Sequence, residues 1–579
     1  MKNLHLKLYF KLIPVQVLNF IALAISSFVG TIFVGNFLGT NDLAAVMVIS
    51  VFTSAMSVIG LLLSTGLIFK LNKAICNQDQ EQQEGVFSVS MIAAVVLGLL
   101  VLAICLVIPK QICIAMGGVG DALPNCQSLL IGCSVSYIGM LISAVISTLF
   151  QIHSDFKTPI ISSIILAVFN IGLYYLFLGV LHLDIFYVGL AITISQTVST
   201  LYLIICYIIK KPIKFKIKQF SFKLLSSVLL IGLTQSIGSV LSAFKDINQN
   251  IACSISDGVK SLSAFAVIGS INSVTNALFV APAFLVVAMM VSGVFINEKD
   301  REATIKTARC AIRFGFILSI AMAAIIFFTA RLTAILTNYE DTAYATHVVR
   351  CFAPAIIPYT IYQVIFMIYG NLERIKTVNI LALIGTLITP CLTFYSFAIF
   401  STAENFWIAF PIADLSGLLV VLTYCTIRNK RIPKSIEDIL CLDNSFGVSS
   451  VNSFTKQLKT LEEVNITYQE IIDFCISKGK DKGTSMKCGL CFEEIGTNII
   501  KHGFTKKRGT INLSVIYEND KIKMIIRDDS KPFNPNERFK HLDSNDPSKG
   551  IGIRLIMKIA SKVTYKAIYG LNILTISID

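Results

Sequence analysis

Between Leu12 and Ile427 the chain is a succession of apolar runs, each about as long as a bilayer is thick. A helix needs roughly 20 apolar residues to cross the hydrocarbon. Twelve stretches reach that length: near 12–38, 44–69, 85–109, 125–150, 159–181 and 187–209, then near 224–254, 259–296, 304–328, 345–370, 375–399 and 407–427. Runs of this kind satisfy their backbone polar groups in lipid only as helices. Charge follows the same division. Residues 1–434 hold 28 Lys/Arg and 17 Asp/Glu, whereas the much shorter 435–579 holds 21 and 18. Overall 15% of residues are charged, against about 25% in an ordinary soluble protein, which excludes a single soluble globule.

Six spans, a Lys-rich hinge and six more spans form a two-fold repeat, a common plan of secondary transporters. Positive charge concentrates in alternate connections. Lys70 and Lys73 follow span two, Lys157 span four, and Lys210, Lys211, Lys214, Lys216, Lys218 and Lys223 span six. Lys299, Arg301, Lys306 and Arg309 follow span eight, Arg374 and Lys376 span ten, and Arg428, Lys430, Arg431 and Lys434 span twelve. By the positive-inside rule the N-terminus, these loops and the tail are expected in the cytoplasm of a multi-pass protein of the cell (inner or plasma) membrane. The first run is too long for a signal-peptide core and is read as an uncleaved helix. The basic excess therefore belongs to loops facing anionic lipid, and no nucleic-acid partner is expected. Most of the fifteen cysteines, such as Cys105, Cys133, Cys206 and Cys253, sit in apolar runs as small buried hydrophobes. Cys488 and Cys491 lack the second ligand pair that a zinc site needs.

Past Pro433 the texture changes. Residues 435–444 read as a linker, and two helical patterns follow at 452–478 and 485–502. Strand-like runs at 510–517 and 521–527, a polar loop at 528–549, a helix at 551–562 and strands at 563–569 and 571–578 complete an α+β domain. No Gly-x-x-x-x-Gly-Lys-Ser/Thr occurs, which argues against an ATP-driven pump built on a P-loop. A different set suits a nucleotide. Glu494 and Asn498 lie four apart on one helix face. Arg-Asp-Asp-Ser-Lys-Pro-Phe-Asn-Pro (527–535) and Ser-Lys-Gly-Ile-Gly-Ile (548–553) follow. An amide oxygen suits Mg²⁺, a carboxylate accepts from an adenine amino group, and glycines opening a helix present amides to phosphate.

In this order these motifs resemble the GHKL (Bergerat-fold) ATP-binding domains, closest to the anti-sigma-factor serine kinases, over 445–579. The resemblance implies ATP and Mg²⁺ as cofactors. It assigns Glu494 as catalytic base, Asn498 as magnesium ligand, Asp528 as the adenine-binding aspartate, and Gly550 and Gly552 as phosphate-loop glycines. It leaves open whether the domain hydrolyses ATP, phosphorylates a serine or threonine of a cytoplasmic partner, or only binds nucleotide. The sequence departs from the pattern at Ser530, where the family usually has glycine.

Ionisable residues inside the bilayer default to function, and the candidates are Asp246 beside Lys245 in span seven and Asp414 in span twelve. The run Asn248-Gln249-Asn250 suggests a wet cavity wall. Gln16, Asn19, Asn170, Gln196, Asn272 and Asn276 are candidate path-lining or interhelical amides. The phrase Phe-Val-Gly-Thr-Ile-Phe-Val-Gly-Asn-Phe-Leu-Gly-Thr-Asn-Asp-Leu-Ala-Ala-Val (28–46) and Gly-Val-Phe-Ile-Asn-Glu-Lys-Asp (293–300) resemble signatures of the MATE (multidrug and toxic compound extrusion) exporters. That resemblance implies lobes at about 1–209 and 224–427 in a 1–434 transporter part, exchanging Na⁺ or H⁺ for small amphipathic or cationic compounds. Gly30 stands where that family typically has an aspartate, and Thr234 where it often has proline.

The fold expected is therefore a polytopic α-helical membrane protein of twelve helices in two six-helix lobes, followed by a cytoplasmic GHKL sandwich. The leading functional reading is cation-coupled antiport regulated by the ATP-binding module. A second is a membrane-anchored signalling protein whose GHKL domain acts as an anti-sigma-type regulator or serine kinase. A third is a lipid-precursor flippase of the same wider superfamily.

Overall fold

In hydrocarbon each apolar run has one solution, a helix whose backbone bonds are internal. The computed structural model describes residues 4–579 apart from 77–78, 154, 217–219, 277, 279–299, 373–374, 443–445, 448–449, 505–508, 519, 542–549 and 569–570. The chain divides into two compact units. One comprises Pro14–Phe284 and Ile312–Pro433, the other Met1–Ile13, Leu285–Ala311 and Lys434–Asp579.

The apolar part of the chain forms α1 (Leu4–Phe37), α2 (Thr40–Cys76), α3 (Gln80–Val107), α4 (Pro109–Ala115), α5 (Ala122–Cys133), α6 (Ser136–Ile152), α7 (Lys157–Tyr174) and α8 (Ile185–Lys210). It continues with α9 (Phe222–Thr275), α10 (Arg301–Leu336), α11 (Thr342–Phe352), α12 (Ile356–Asn371), α13 (Ile375–Ala382), α14 (Thr389–Phe400) and α15 (Ala409–Asn429). Among the described residues nine helices are long and apolar enough to cross a membrane, or ten if α5 and α6, bent by 49°, are one span. The expected number is twelve. The first span contributes a shorter apolar stretch, Ala24–Phe37. α9 fuses span seven to the start of span eight across a break at Asp257 and Gly258, where Gly258 takes a φ of +56°. The rest of span eight and most of the 293–300 motif lie outside the described residues. Spans five and eleven, equivalent in the two-fold repeat, each carry a π-helical turn, Tyr175–Val180 and Leu383–Ile388.

The two halves of the repeat meet where α2 crosses α9. A Cβ on Gly66 would run into the Val228 carbonyl, and one on Gly232 into the Leu62 carbonyl. Lipid gives helices no hydrophobic reason to associate, so small residues that admit close backbone packing hold such crossings.

The tail begins with α16 (Ile436–Leu440), a short helix within the segment read as a linker. Ser435 and Asp438 cap this helix reciprocally, and Leu440 and Cys441 are buried. Then come β1 (Ser453–Leu458), α17 (Leu461–Ser477), α18 (Lys482–Asn498), β2 (Ile511–Glu518), β3 (Lys521–Asp528), α19 (Pro535–Lys540), α20 (Ile551–Ile559), β4 (Lys562–Ile568) and β5 (Leu571–Ile578). The helical pattern expected from 452 starts only at Leu461. A capping box between Thr460 and Glu463 opens α17, and the residues before it pair with β2 as a strand. The five strands are antiparallel in the order β1-β2-β3-β5-β4. Alternation sends Leu513, Val515, Met524, Ile526, Leu574 and Ile576 to one face, where Val464, Ile471, Phe492, Ile495 and Ile556 of the helices cover them.

Gly66→Val or Gly232→Val should overpack the α2–α9 crossing and cost about 1–3 kcal/mol. A lower melting temperature of the detergent-purified protein is the expected outcome. An unchanged melt would mean that the two backbones do not touch.

Candidate functional site

Two places collect polar chemistry, one in the helical unit and one in the tail. The first is a cavity of about 350 Å³. From the second half of the repeat, α9 contributes Lys245, Asp246 and Gln249, α12 Tyr359, Tyr362 and Gln363, and α15 Asp414. The first half contributes hydroxyls, Ser27 and Thr31 from α1 and Ser50 and Ser54 from α2. Asp246 and Asp414, far apart in sequence, thus share one cavity. Lys245 Nζ lies 3.8 Å from Asp246 Oδ1 and 6.0 Å from the centre of the Tyr359 ring. Adjacent helical residues do not usually face each other, yet these two side chains converge, with Asp246 the more open to the cavity.

Position 30 explains why the first half brings no carboxylate. A Cβ there would lie 2.8 Å from Cε2 of Tyr174, a buried side chain of α7. The aromatic ring takes the space that a longer residue would need. The next residue, Thr31, instead bonds the Ser270 hydroxyl of α9, joining the two halves.

The expected path-lining amides divide. Asn272 and Asn276 line the cavity, the Asn276 amide donating to Asn272 Oδ1 at 3.1 Å. Asn170 donates to Ser26 and Gln196 to Ser143 and Thr200, outside the cavity wall. The side chains of Gln16 and Asn19 lie outside the described residues. Of the 248–250 run only Gln249 lines the cavity. Asn248 accepts from Tyr395 and the buried Asn250 donates to the Met116 carbonyl. Tyr359, Tyr362 and Thr386 also line the cavity, although along the chain their hydroxyls read as ordinary span residues. The Tyr362 and Thr386 hydroxyls bond at 2.7 Å, the latter on the Leu383–Ile388 π turn.

The second site lies where α18, β3 and α20 meet. Asn498 donates to Glu494 Oε1 at 2.8 Å, one turn along α18. The Glu494 carboxylate rests against Gly552, where any Cβ would collide with it. Gly550 caps α20 with a φ of +70°, a conformation that favours glycine. Ser548 and Lys549 of that motif fall outside the described residues. Beyond Asn498 the helix widens into a π turn, Ile499–Gly503, a distortion frequent at functional sites. Ser530 fits because residue 503 is glycine: a Cβ on Gly503 would lie 2.8 Å from the Ser530 side chain.

Asp528 is 4% exposed at the end of β3. Its Oδ1 accepts from the Ser530 backbone at 2.9 Å and from Asn572 Nδ2 at 2.9 Å. A carboxylate has more acceptor positions than these two bonds use, so it keeps the capacity to accept from an incoming amino group. Asn572 was missed in the sequence. Its signal is a polar residue at an inward-facing position of an apolar strand, directly opposite Asp528. Tyr565 donates to Asn572 Oδ1 at 2.8 Å and accepts from the Phe533 backbone, which fixes the amide's orientation. Cys475, Cys488 and Cys491 are buried in the domain core, and no metal-binding group of His, Cys, Asp and Glu occurs among the described residues.

Burial pushes the Asp528 carboxyl above its ordinary range, while the bonds from Ser530 and Asn572 restrain the rise. Only the ionised form accepts at both oxygens, so nucleotide affinity should fall as pH drops through this raised value. Asn572→Ala removes one restraint and should weaken binding by about 1.5–3 kcal/mol, roughly ten- to a hundredfold. Titration calorimetry with Mg-ATP across pH checks both effects. Wild-type affinity in Asn572→Ala would contradict the assigned geometry.

Residues 459–578 match the histidine kinase-like ATPase domain family, which implies nucleotide binding. Residues 16–176 and 250–395, more than half of the chain, match the MatE family. No curated protein matches the sequence significantly. Among solved structures, the chain is similar to an inward-facing multidrug resistance MATE family transporter of the MOP superfamily (TM-score 0.66, 17% identity, covering 73% of this chain and 98% of that one). An outward-facing conformation of such a transporter gives a TM-score of 0.59 at 17% identity, covering 76% and 98%. A MOP superfamily transporter from Pyrococcus furiosus, described by a reversed polarity of its binding pocket, gives 0.59 at 17% identity, covering 74% and 97%. With the apolar helices and the shared cavity, these matches establish that the chain is a multi-pass membrane protein of the MatE family, carrying a C-terminal histidine kinase-like ATPase domain.

Proposed function

We propose that this chain is a cation-coupled antiporter, driven by Na⁺ or H⁺, that exports amphipathic or cationic compounds and is regulated by its nucleotide-binding tail. The observation that carries the reading is the charge composition of the cavity. Two carboxylates and one ammonium, with both acids ionised, leave one net negative charge. A single Na⁺, a proton or a monocationic substrate each neutralises it, so the coupling ion and the cargo compete for one site. Exchange follows from that competition, because the cavity releases one cation when the other binds. The aromatic residues Phe265, Phe352, Phe394 and Phe410 supply the apolar wall that an amphipathic cation needs. The relatives described as multidrug resistance transporters support the same class of cargo.

The tail's residues fit Mg-ATP on their own geometry. The Asp528 carboxylate would accept from the adenine amino group, Asn498 would hold Mg²⁺, and the amides behind Gly550 and Gly552 would face the phosphates. Bound ATP would supply a transferable phosphoryl group, for hydrolysis or for a partner's hydroxyl. Glu494, which accepts from Asn498 beside Gly552, would take the proton from water or from that hydroxyl. Both termini and this domain are assigned to the cytoplasm. No P-loop is present, so the nucleotide is assigned to regulation and the gradient to driving transport.

One observation favours the signalling reading: Gly30 with Tyr174 behind it removes the first-half carboxylate. Asp246 and Asp414 answer it, since both acids stand in the second half. Asp246→Asn, and more completely Asp246→Asn with Asp414→Asn, should abolish gradient-driven ethidium efflux from proteoliposomes while the protein still inserts. Wild-type flux in the double variant would remove both residues from the coupling site. Wild-type protein that moves no cation under any gradient would favour the signalling reading.

A further inference from the structure

The face of the tail's sheet turned away from its helices is buried, although such a face in an antiparallel sheet commonly meets water. Alternation places Ile525 and Arg527 of β3, Asn512 and Ser514 of β2 and Ile573 of β5 on it, and all five are at most 3% exposed. A buried guanidinium needs charge and hydrogen-bond partners. Arg527 Nη1 donates to Asn512 Oδ1 at 3.0 Å, and Nη2 donates to Asp300 Oδ2 at 2.7 Å.

Asp300 stands immediately before α10, 227 residues upstream of its partner. Its Oδ1 accepts from the Ala303 backbone at 2.9 Å and its carbonyl from the Thr304 hydroxyl at 2.8 Å, so it also caps that helix. One carboxylate thus opens a membrane-length helix with one oxygen and grips β3 with the other. Arg301, the next residue, donates to the Phe446 carbonyl, a second tie between the start of α10 and the tail.

The residue after Arg527 is Asp528. Successive strand residues point to opposite faces, so β3 turns one side chain toward the nucleotide cradle and the next toward the cap of α10. We propose that the Arg527–Asp300 pair is the element through which nucleotide occupancy acts on the transporter helix α10, with Arg527 a positioning residue. The inference rests on the nucleotide reading of the Asp528 site. A ligand that engages Asp528 shifts the end of β3, Arg527 moves with it, and the Asp300 cap tightens or loosens. By reciprocity, the state of α10 alters nucleotide affinity by the same factor.

Hydrogen exchange by mass spectrometry on the full-length protein in nanodiscs, with and without Mg²⁺ and a non-hydrolysable ATP analogue, tests this. In wild type, nucleotide should protect 494–503 and 550–556 and also change exchange over 301–306, by roughly fivefold or more. Asp300→Asn keeps a good helix cap but removes the charge. Asp300→Asn with Arg527→Met removes both charges of the pair together, so neither is left facing the other's empty place, and at least one variant is expected to fold. In either, nucleotide should still protect the cradle while the change over 301–306 disappears. A response at 301–306 that persists in the variants, or is absent from wild type that protects its cradle, overturns the coupling. Absence of cradle protection in wild type overturns the nucleotide reading and the coupling with it.

Discussion

An ionised side chain at the centre of a bilayer costs about 3 kcal/mol or more unless it is paired or wetted. That penalty organises the helical part of this chain. Lys245, Asp246 and Asp414 come from two helices nearly 170 residues apart in sequence, and they share one cavity. The ammonium and the two acids lower each other's cost, and the cavity supplies the polar surroundings that lipid cannot. The first half of the repeat answers the same constraint by having no charge to bury there. Gly30 yields its space to Tyr174, and Thr31 reaches across to Ser270 with a hydroxyl. The consequence is an asymmetric cavity, with hydroxyls on one wall and charge on the other.

The same rule operates in the tail at smaller scale. Arg527 has no exposure and donates to Asp300 and Asn512, while Asp528 accepts from Ser530 and Asn572. Two buried charges of opposite sign on adjacent residues, facing opposite sides of a strand, are expensive to keep. Each is retained because a specific partner waits on its own side. The proposed coupling uses this arrangement, because the two charges sit on adjacent residues of one strand and face opposite sides.

What the sequence made legible followed the range of the interaction. Membrane helices were readable because a run of about 20 apolar residues decides the outcome locally. The Glu494–Asn498 contact was readable because four residues on a helix is one turn, and the turn at Gly550 because its backbone conformation is local. β1 was not, since Phe454 and its neighbours fit an amphipathic helix until Thr460 and Glu463 are recognised as a cap and β2 is there to pair with. Asn572 and the Arg527–Asp300 pair depend on strand register and on a contact over 227 residues, which no window along the chain contains. The separation of Asn248, Gln249 and Asn250 had the same cause. A polar run names three candidates, and only the packing around each decides which one faces the cavity.

In the proposed division of labour an ion gradient moves the cargo and nucleotide sets how readily it moves. The direct measurement is ethidium flux in proteoliposomes of wild-type protein under two separate conditions, an imposed Na⁺ or proton gradient without nucleotide, and Mg-ATP without any gradient. Flux under the gradient alone, none with Mg-ATP alone, and a changed rate when both are present is the predicted result. Flux with Mg-ATP alone would contradict it, because the nucleotide would then be the fuel.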